Sequence, residues 1–232
     1  MRILIGIFLL TGLGACSDSA THVINQHYQA LGDISEINNI VTKAECVGPD
    51  GDYFTITKSS FRDDYLLFQQ TYDYKPNPFY ALIRTKDKGF GLDTNFTSQG
   101  PLSNAIIAVL KAHEFHEMML QPDQRYFDLK QLEDTTFFDQ KCRQLIGSDH
   151  LGLPVRLYFD KETHLMAGIA QANPYKKGEV ICVHFEEWNY NNPVPIFNRV
   201  NIRQGKKDQY ILDYNKIIFN HPEFEELVLQ EN

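Results

Sequence analysis

Apolar and polar positions along the chain follow two periods, and the changes between them mark out its elements. Val23, Ile24, His27, Tyr28 and Leu31 recur at helical spacing, and Gly32 behind them is a helix stop. Asp33 followed by Glu36 predicts the cap of a second short helical turn. From Ile40 the period becomes that of strands. Residues 40–47, 53–58, 61–72, 79–85 and 89–93 are rich in aromatic and β-branched side chains. Gly48-Pro49-Asp50-Gly51-Asp52 is a strong turn, Ser59 and Ser60 suggest a hairpin turn, and Pro76 and Pro78 interrupt the run.

The middle of the chain returns to a helical period. Pro101 and Ser103 make a helix start, and Leu102, Ile106, Val109, Leu110, His113, His116, Glu117 and Leu120 form one stripe before Pro122 ends it. A second helical stretch is predicted over 126–132. Strands then resume at 137–146, 153–160, 164–172, 179–190, 196–203 and 209–219. The turns between them are short and polar, so neighbours are antiparallel, because parallel pairing needs a long crossover. Pro222 with Phe224, Leu227 and Val228 predicts a short closing helix.

These strands are apolar on both faces. In 179–190, Ile181, Val183 and Phe185 share one face, while Val180, Cys182, His184 and Trp188 share the other. In 61–72, Tyr65 and Leu67 oppose Leu66, Phe68 and Tyr72, and the stretch 209–219 repeats the pattern. A sheet backed by water on one side would be polar there. This one must be covered twice, or covered once and curved around an apolar hollow. With few helices available, the expected class is α+β with a curved antiparallel sheet.

Composition agrees with a folded domain, at 43% hydrophobic and 22% charged residues. The net charge of −8 lacks the basic footprint that phosphate backbones need, so nucleic acid is not an expected partner. Nor does it offer a polybasic patch for membrane headgroups.

The N-terminus supplies an address. Arg2, an apolar run from Ile3 and the small residues before Cys16 make a secretory signal too short to cross a bilayer as a helix. Leu13-Gly14-Ala15-Cys16 resembles the lipobox of bacterial lipoproteins. That resemblance implies lipidation of Cys16 and removal of residues 1–15. An ordinary signal ending near a cysteine is the other reading. The expected plan is a signal peptide over 1–15, a lipidated tether over 16–20 and a single domain over 21–232. Acyl chains, each methylene adding about 0.8 kcal/mol, would be the only membrane anchor.

Three stretches carry a family resemblance. Tyr28-Gln29-Ala30-Leu31-Gly32-Asp33 leads into Ile40. Leu153-Pro154-Val155-Arg156-Leu157-Tyr158-Phe159-Asp160-Lys161-Glu162-Thr163-His164-Leu165 joins two strands through an Asp-x-x-Thr turn. Tyr214 to Asn220 is followed by Pro222 and Phe224. Together with the order of elements and the lipobox, they resemble the lipoprotein-carrier-like superfamily of Gram-negative bacteria. The resemblance implies an incomplete β-barrel with an N-terminal helix, a helical plug, here residues 101–122, and an apolar cavity for acyl chains. It implies no catalytic set and no cofactor. Ser17 after the cysteine implies the outer membrane, facing the periplasm, since an Asp there retains family members in the inner membrane.

Other chemistry falls short of a complete site. His113-Glu114-Phe115-His116-Glu117 lacks the i, i+4 histidine pair of a zinc protease helix. His113 and His116 share a helix face and could reach a metal with His164 or His184, or they edge the helix against the sheet. There is no Gly-x-Ser-x-Gly elbow, and Cys182 and His184 on one strand point in parallel. No metal or enzyme activity is expected. Once Cys16 is lipidated, Cys46, Cys142 and Cys182 remain, and a Cys142–Cys182 bond is the favoured pairing if one forms.

The expected function is binding of a lipid or acylated ligand in the hollow. Strand alternation nominates Tyr65, Phe68, Ile83, Leu157, Ile169, Ile181, Val183 and Phe185 as cavity lining. The rival expectation is a scaffold with a filled core that holds a periplasmic protein partner.

Overall fold

Two antiparallel meanders joined side by side make one sheet of fourteen strands. The structure, a computed structural model, describes residues 17–49, 51–61, 64–72, 80–86, 88–173, 176–205, 208–222 and 224. The signal-like segment, Cys16, Pro76 and Pro78, and Leu227 and Val228 of the expected closing helix lie outside the described residues. No helix among the described residues is long and apolar enough to cross a membrane.

The first described element is α1 (Ser17–Leu31), so Ser17 to Ala20 of the expected tether form its first turn. The first meander runs β1 (Asn39–Gly48), β2 (Gly51–Ser60), β3 (Tyr65–Thr71), β4 (Tyr80–Thr85), β5 (Lys88–Leu92) and β6 (Ser98–Pro101). Three short helices follow: α2 (Asn104–Ala112), α3 (Phe115–Leu120) and α4 (Pro122–Arg125). The second meander runs β7 (Phe127–Gln131), β8 (Thr135–Phe137), β9 (Gln140–Ser148), β10 (Pro154–Asp160), β11 (Met166–Ala172), β12 (Val180–Asn189), β13 (Ile196–Gln204) and β14 (Asp208–Phe219). β14 pairs with β1, leaving β6 at one edge and β7 at the other, with β8 folded beside β9. The sheet curves without closing. The helices α2 to α4 are the covalent bridge from one edge strand to the other.

Both faces are covered, which accounts for the two-sided apolar pattern. The concave face holds the main core. There α1 (Val23, Ile24, Leu31) and α3 (Phe115, Met118, Met119, Leu120) pack on Leu157, Phe159, Ile169, Phe185 and Val200. On the convex face, Phe224 and Phe96 lie with Tyr65, Leu67, Ile83 and Leu92. Farther round, the β8 hairpin covers Tyr158, Ala170 and Cys182, with Phe137 stacked on Tyr158 and Phe138 stacked on His184.

Several local expectations differ from the structure. Asp33 does not start a helix: its Oδ1 accepts from the Ser35 backbone at 2.9 Å and holds a turn. Ser59 and Ser60 are the last residues of β2, paired with Leu66 and Tyr65, and not a turn. The stretch 126–132 is edge strand β7, paired to β9 (Gln131 opposite Leu145) around an irregularity at Asp128, whose φ is +53°. The stretch 137–146 is broken by a tight turn at Phe138 and Asp139, both at positive φ, which sends β8 back along β9. The helical stripe 102–120 is also broken. Ser103 caps α2 by accepting from the Ile106 backbone, and the helix ends at His113, where Glu114 turns toward buried arginines.

Candidate functional site

The hollow of the sheet is partly filled. α1 and α3 occupy one end of the concave face, and a cavity of about 270 Å³ remains at the other. Strand direction fixes its depth. At the outer end lie Tyr53, Gln70, Gln171, Gln204 and Tyr210, close to the turns joining the strands, with Leu151 and Leu153 from the β9–β10 turn. Farther in, the walls are Phe68, Val183, Ile202 and Leu212 from the sheet, roofed by Ala108, Val109, Ala112 and His113 of the plug. Both meanders line the cavity, so it exists only because the sheet curves.

His113 lines the cavity and keeps an exposed surface. Burial lowers its pKa, against the bond its Nδ1 donates to the Val109 carbonyl at 2.7 Å. Phe68 and Phe115 flank it.

Below this space lies a small second recess, lined by Ile40, Thr42, Ser59, Glu114, His116 and Glu117. Thr57, His113, Phe115 and Tyr214 line both, so the recess adjoins the inner end of the cavity. His116 is buried, stacked on Phe197 at 4.4 Å and set edge-on to Tyr214. Burial pushes its pKa down to about 3, outweighing a backbone bond to Phe197, so the ring is neutral at physiological pH. Its Nε2 has no hydrogen-bond partner among the described residues.

The roof is held by buried charge. Arg84 on β4 is fully buried and donates to Asp64 at 2.6 Å and to Glu114. Arg125 on α4 pairs with Glu114 and, at 2.5 Å, with Glu117. Burial raises the Glu117 pKa to about 7 although the Arg84 charge opposes it, and burial lowers that of Arg125 to about 10. His27 of α1 adds a neutral tie, donating from Nε2 to the Met119 carbonyl at 2.7 Å.

The nominated lining residues divide by register. Phe68, Ile181 and Val183 line the cavity. Leu157, Ile169 and Phe185 share the concave face, since Leu157 pairs with Ile169 and Ile169 with Val183, but they lie where helices fill the hollow. Tyr65 and Ile83 are on the convex face with Phe224, because Tyr65 is an odd number of residues from Phe68. The lining that sequence reasoning missed is mostly polar or on the plug: Gln70, Gln171, Gln204, Thr57 and Ala112. Alternation in register with Val183 could have found the glutamines.

His113 and His116 both border the recess, but the helix breaks between them: His113 also lines the larger cavity, and His116 stacks on Phe197. Among the described residues no group of three or more His, Cys, Asp or Glu side chains is placed to hold a metal. Cys46, Cys142 and Cys182 are all free thiols. Cys142 on β9 and Cys182 on β12 are three strand spacings apart, about 14 Å, beyond the reach of a disulfide.

No family model matches the sequence, and no curated protein matches it. Solved structures do share its shape. A LolA superfamily protein of Nitrosomonas europaea superposes with a TM-score of 0.59 at 11% identity, over 85% of this chain and 92% of the other. An outer membrane lipoprotein-sorting protein domain of Vibrio parahaemolyticus gives 0.61 at 13% identity, over 90% and 95%. A DUF1329 family protein of Desulfovibrio piger gives 0.60 at 9% identity, over 88% and 92%. The chain therefore shares the fold of these proteins, a curved, unclosed antiparallel sheet with helices in its hollow.

Proposed function

We propose that this protein is a non-enzymatic binding protein of the bacterial envelope, tethered to the outer membrane through lipid on Cys16, that takes up an acyl chain of a lipid or acylated ligand. The observation that carries the reading is the apolar-walled cavity of about 270 Å³ between the concave sheet and α2. Its volume is at the small end of ligand sites, which suits one chain. Each methylene moved from water into it contributes about 0.8 kcal/mol. The ends of the strands support the reading too. Six of the eight exposed large apolar side chains among the described residues, Val47, Tyr72, Tyr80, Phe127, Leu151 and Val180, lie at the cavity end of their strands or turns, while Leu132 and Tyr190 lie at the opposite end. Likeness in fold to a lipoprotein-sorting domain is consistent with such a ligand.

The test is native mass spectrometry and displacement of a fluorescent fatty acid from the delipidated domain. Saturated fatty acids should bind with one chain per protein. Ala112→Trp, which places an indole in the cavity, should abolish binding and leave the fold intact. A protein that binds no acyl chain in either assay, while holding a periplasmic protein in a pull-down, would be a scaffold instead.

A further inference from the structure

The cavity does not end in an apolar wall. Its inner end adjoins the recess of about 10 Å³ lined by His116 with Thr42, Thr57 and Ser59, one beside another across β1 and β2, and Nε2 of His116 is buried with no partner among the described residues. From Tyr53 at the outer end to Ser59 in the recess is six residues of strand, about 20 Å. A buried imidazole nitrogen without a partner costs free energy unless a bound group supplies the missing bond. A dry acyl tail would leave it unmet.

The chemistry of the recess narrows the group that would meet it. Glu114 and Glu117 line it as well and already engage the nearby Arg84 and Arg125, so an anionic end finds no free cation there. Both carboxylates are already paired with buried guanidinium groups, Glu114 with Arg84 and Arg125, and Glu117 with Arg125, so an ammonium end has no free counter-charge there. A neutral hydroxyl donates to the imidazole nitrogen and accepts from a threonine or serine hydroxyl. It also carries little desolvation cost compared with an ion.

We infer that the recess receives a hydroxyl borne on the buried end of the acyl ligand, so that the protein selects chains hydroxylated far from their head group. This rests on the acyl-binding reading and deepens it: the glutamines and tyrosines at the outer end face the head group, the middle takes methylenes, and His116 with Thr57 reads the tail.

The experiment compares octanoic, decanoic, dodecanoic and tetradecanoic acids with their ω-hydroxy and 3-hydroxy counterparts, by displacement of the same fluorescent probe. One net buried hydrogen bond predicts tighter binding of the best-fitting ω-hydroxy acid over its parent, by about fivefold to tenfold. The 3-hydroxy acids, whose hydroxyl stays near the head group, should show no gain. His116→Phe keeps the stack on Phe197 and removes the acceptor, so it should erase the preference while parent acids still bind. Thr57→Val, on the half-buried side of the recess, should reduce it independently. If parent acids bind but no ω-hydroxy acid is preferred by the native protein, the inference is overturned and the acyl-binding reading stands. If no acid of any kind binds, both fall.

Discussion

Arg84, fully buried on β4, donates to Glu114 at the break between α2 and α3. Through this contact a strand of the first meander grips the segment that roofs the cavity. Glu114 also pairs with Arg125 of α4, so one carboxylate fastens strand and plug together. Removing one member of a buried ion pair strands the other in a low-dielectric interior. Arg84→Met should therefore lower stability by about 3–5 kcal/mol in urea unfolding. Combining it with Glu114→Gln should cost less than the sum of the single changes, because the two share an interaction. Additive costs would show that the pair is not coupled.

Close backbone approach fixes a second sensitive position. A Cβ built on Gly168 of β11 would meet the Val183 carbonyl oxygen at 2.1 Å and the Phe137 ring at 2.8 Å. The carbonyl belongs to the neighbouring strand and cannot swing away as a side chain tip would. Gly168→Ala should either prevent folding or separate β11 from β12, seen as loss of near-ultraviolet circular dichroism and of amide protection in both strands.

Acid should destabilise the protein through its buried histidines. Burial lowers the pKa of His116 to about 3 and of His27 to about 4, each against backbone hydrogen bonds that raise it, with Asp123 also raising that of His27. The unfolded chain protonates both near 6.5, so it binds more protons than the folded state below that pH. Stability should thus fall as pH drops from about 6.5 toward 4, by at most about 1.4 kcal/mol per unit for each ring. Glu117, whose pKa burial raises to about 7, acts in the opposite sense between 4.5 and 7, because the unfolded carboxyl ionises first. Two histidines outweigh one carboxyl over the lower part of the range. Urea titrations at pH 6.5 and 5 should show this, and His116→Phe should remove most of the difference, because Glu117 then offsets the one remaining histidine.

The thiols should label in a defined order. Cys46 and Cys142 have no exposed surface, and burial raises both pKa values, that of Cys142 to about 12. Cys182 is partly exposed, and the Arg203 charge offsets part of its own upward shift. Iodoacetamide should modify Cys182 first in the native protein, and all three only after unfolding, without prior reduction. Modification that requires a reductant would point to a disulfide and contradict the strand separation.

Most strands of both meanders were legible in the sequence because their period, turns and aromatic content agreed, but β6 was not foreseen and β7 read as helix. The curved antiparallel sheet followed from the two-sided pattern. Which face was concave was not legible, since Tyr65 and Phe68 are equally apolar and only the coverage by Phe224 and by α2 separates them. The turn at Phe138 and Asp139 was hidden for a similar reason. Positive φ at both positions usually calls for Gly or Asn, and a phenylalanine held there by stacking on His184 gives no such signal. The break after His113 depends on Arg84, thirty residues away from Glu114. No local pattern could reveal that partner, although an arginine inside an apolar strand is itself unusual.

The open seam between β6 and β7 has a mechanical consequence. A closed barrel can change girth only by breaking ladder hydrogen bonds. Here the two free margins can part or approach while every rung of the ladder stays made, and the strap across the gap is the same α2–α4 run that roofs the cavity. Parting those margins would therefore pull on the roof of the cavity, so its width and the tightness of its cover are coupled through one strap.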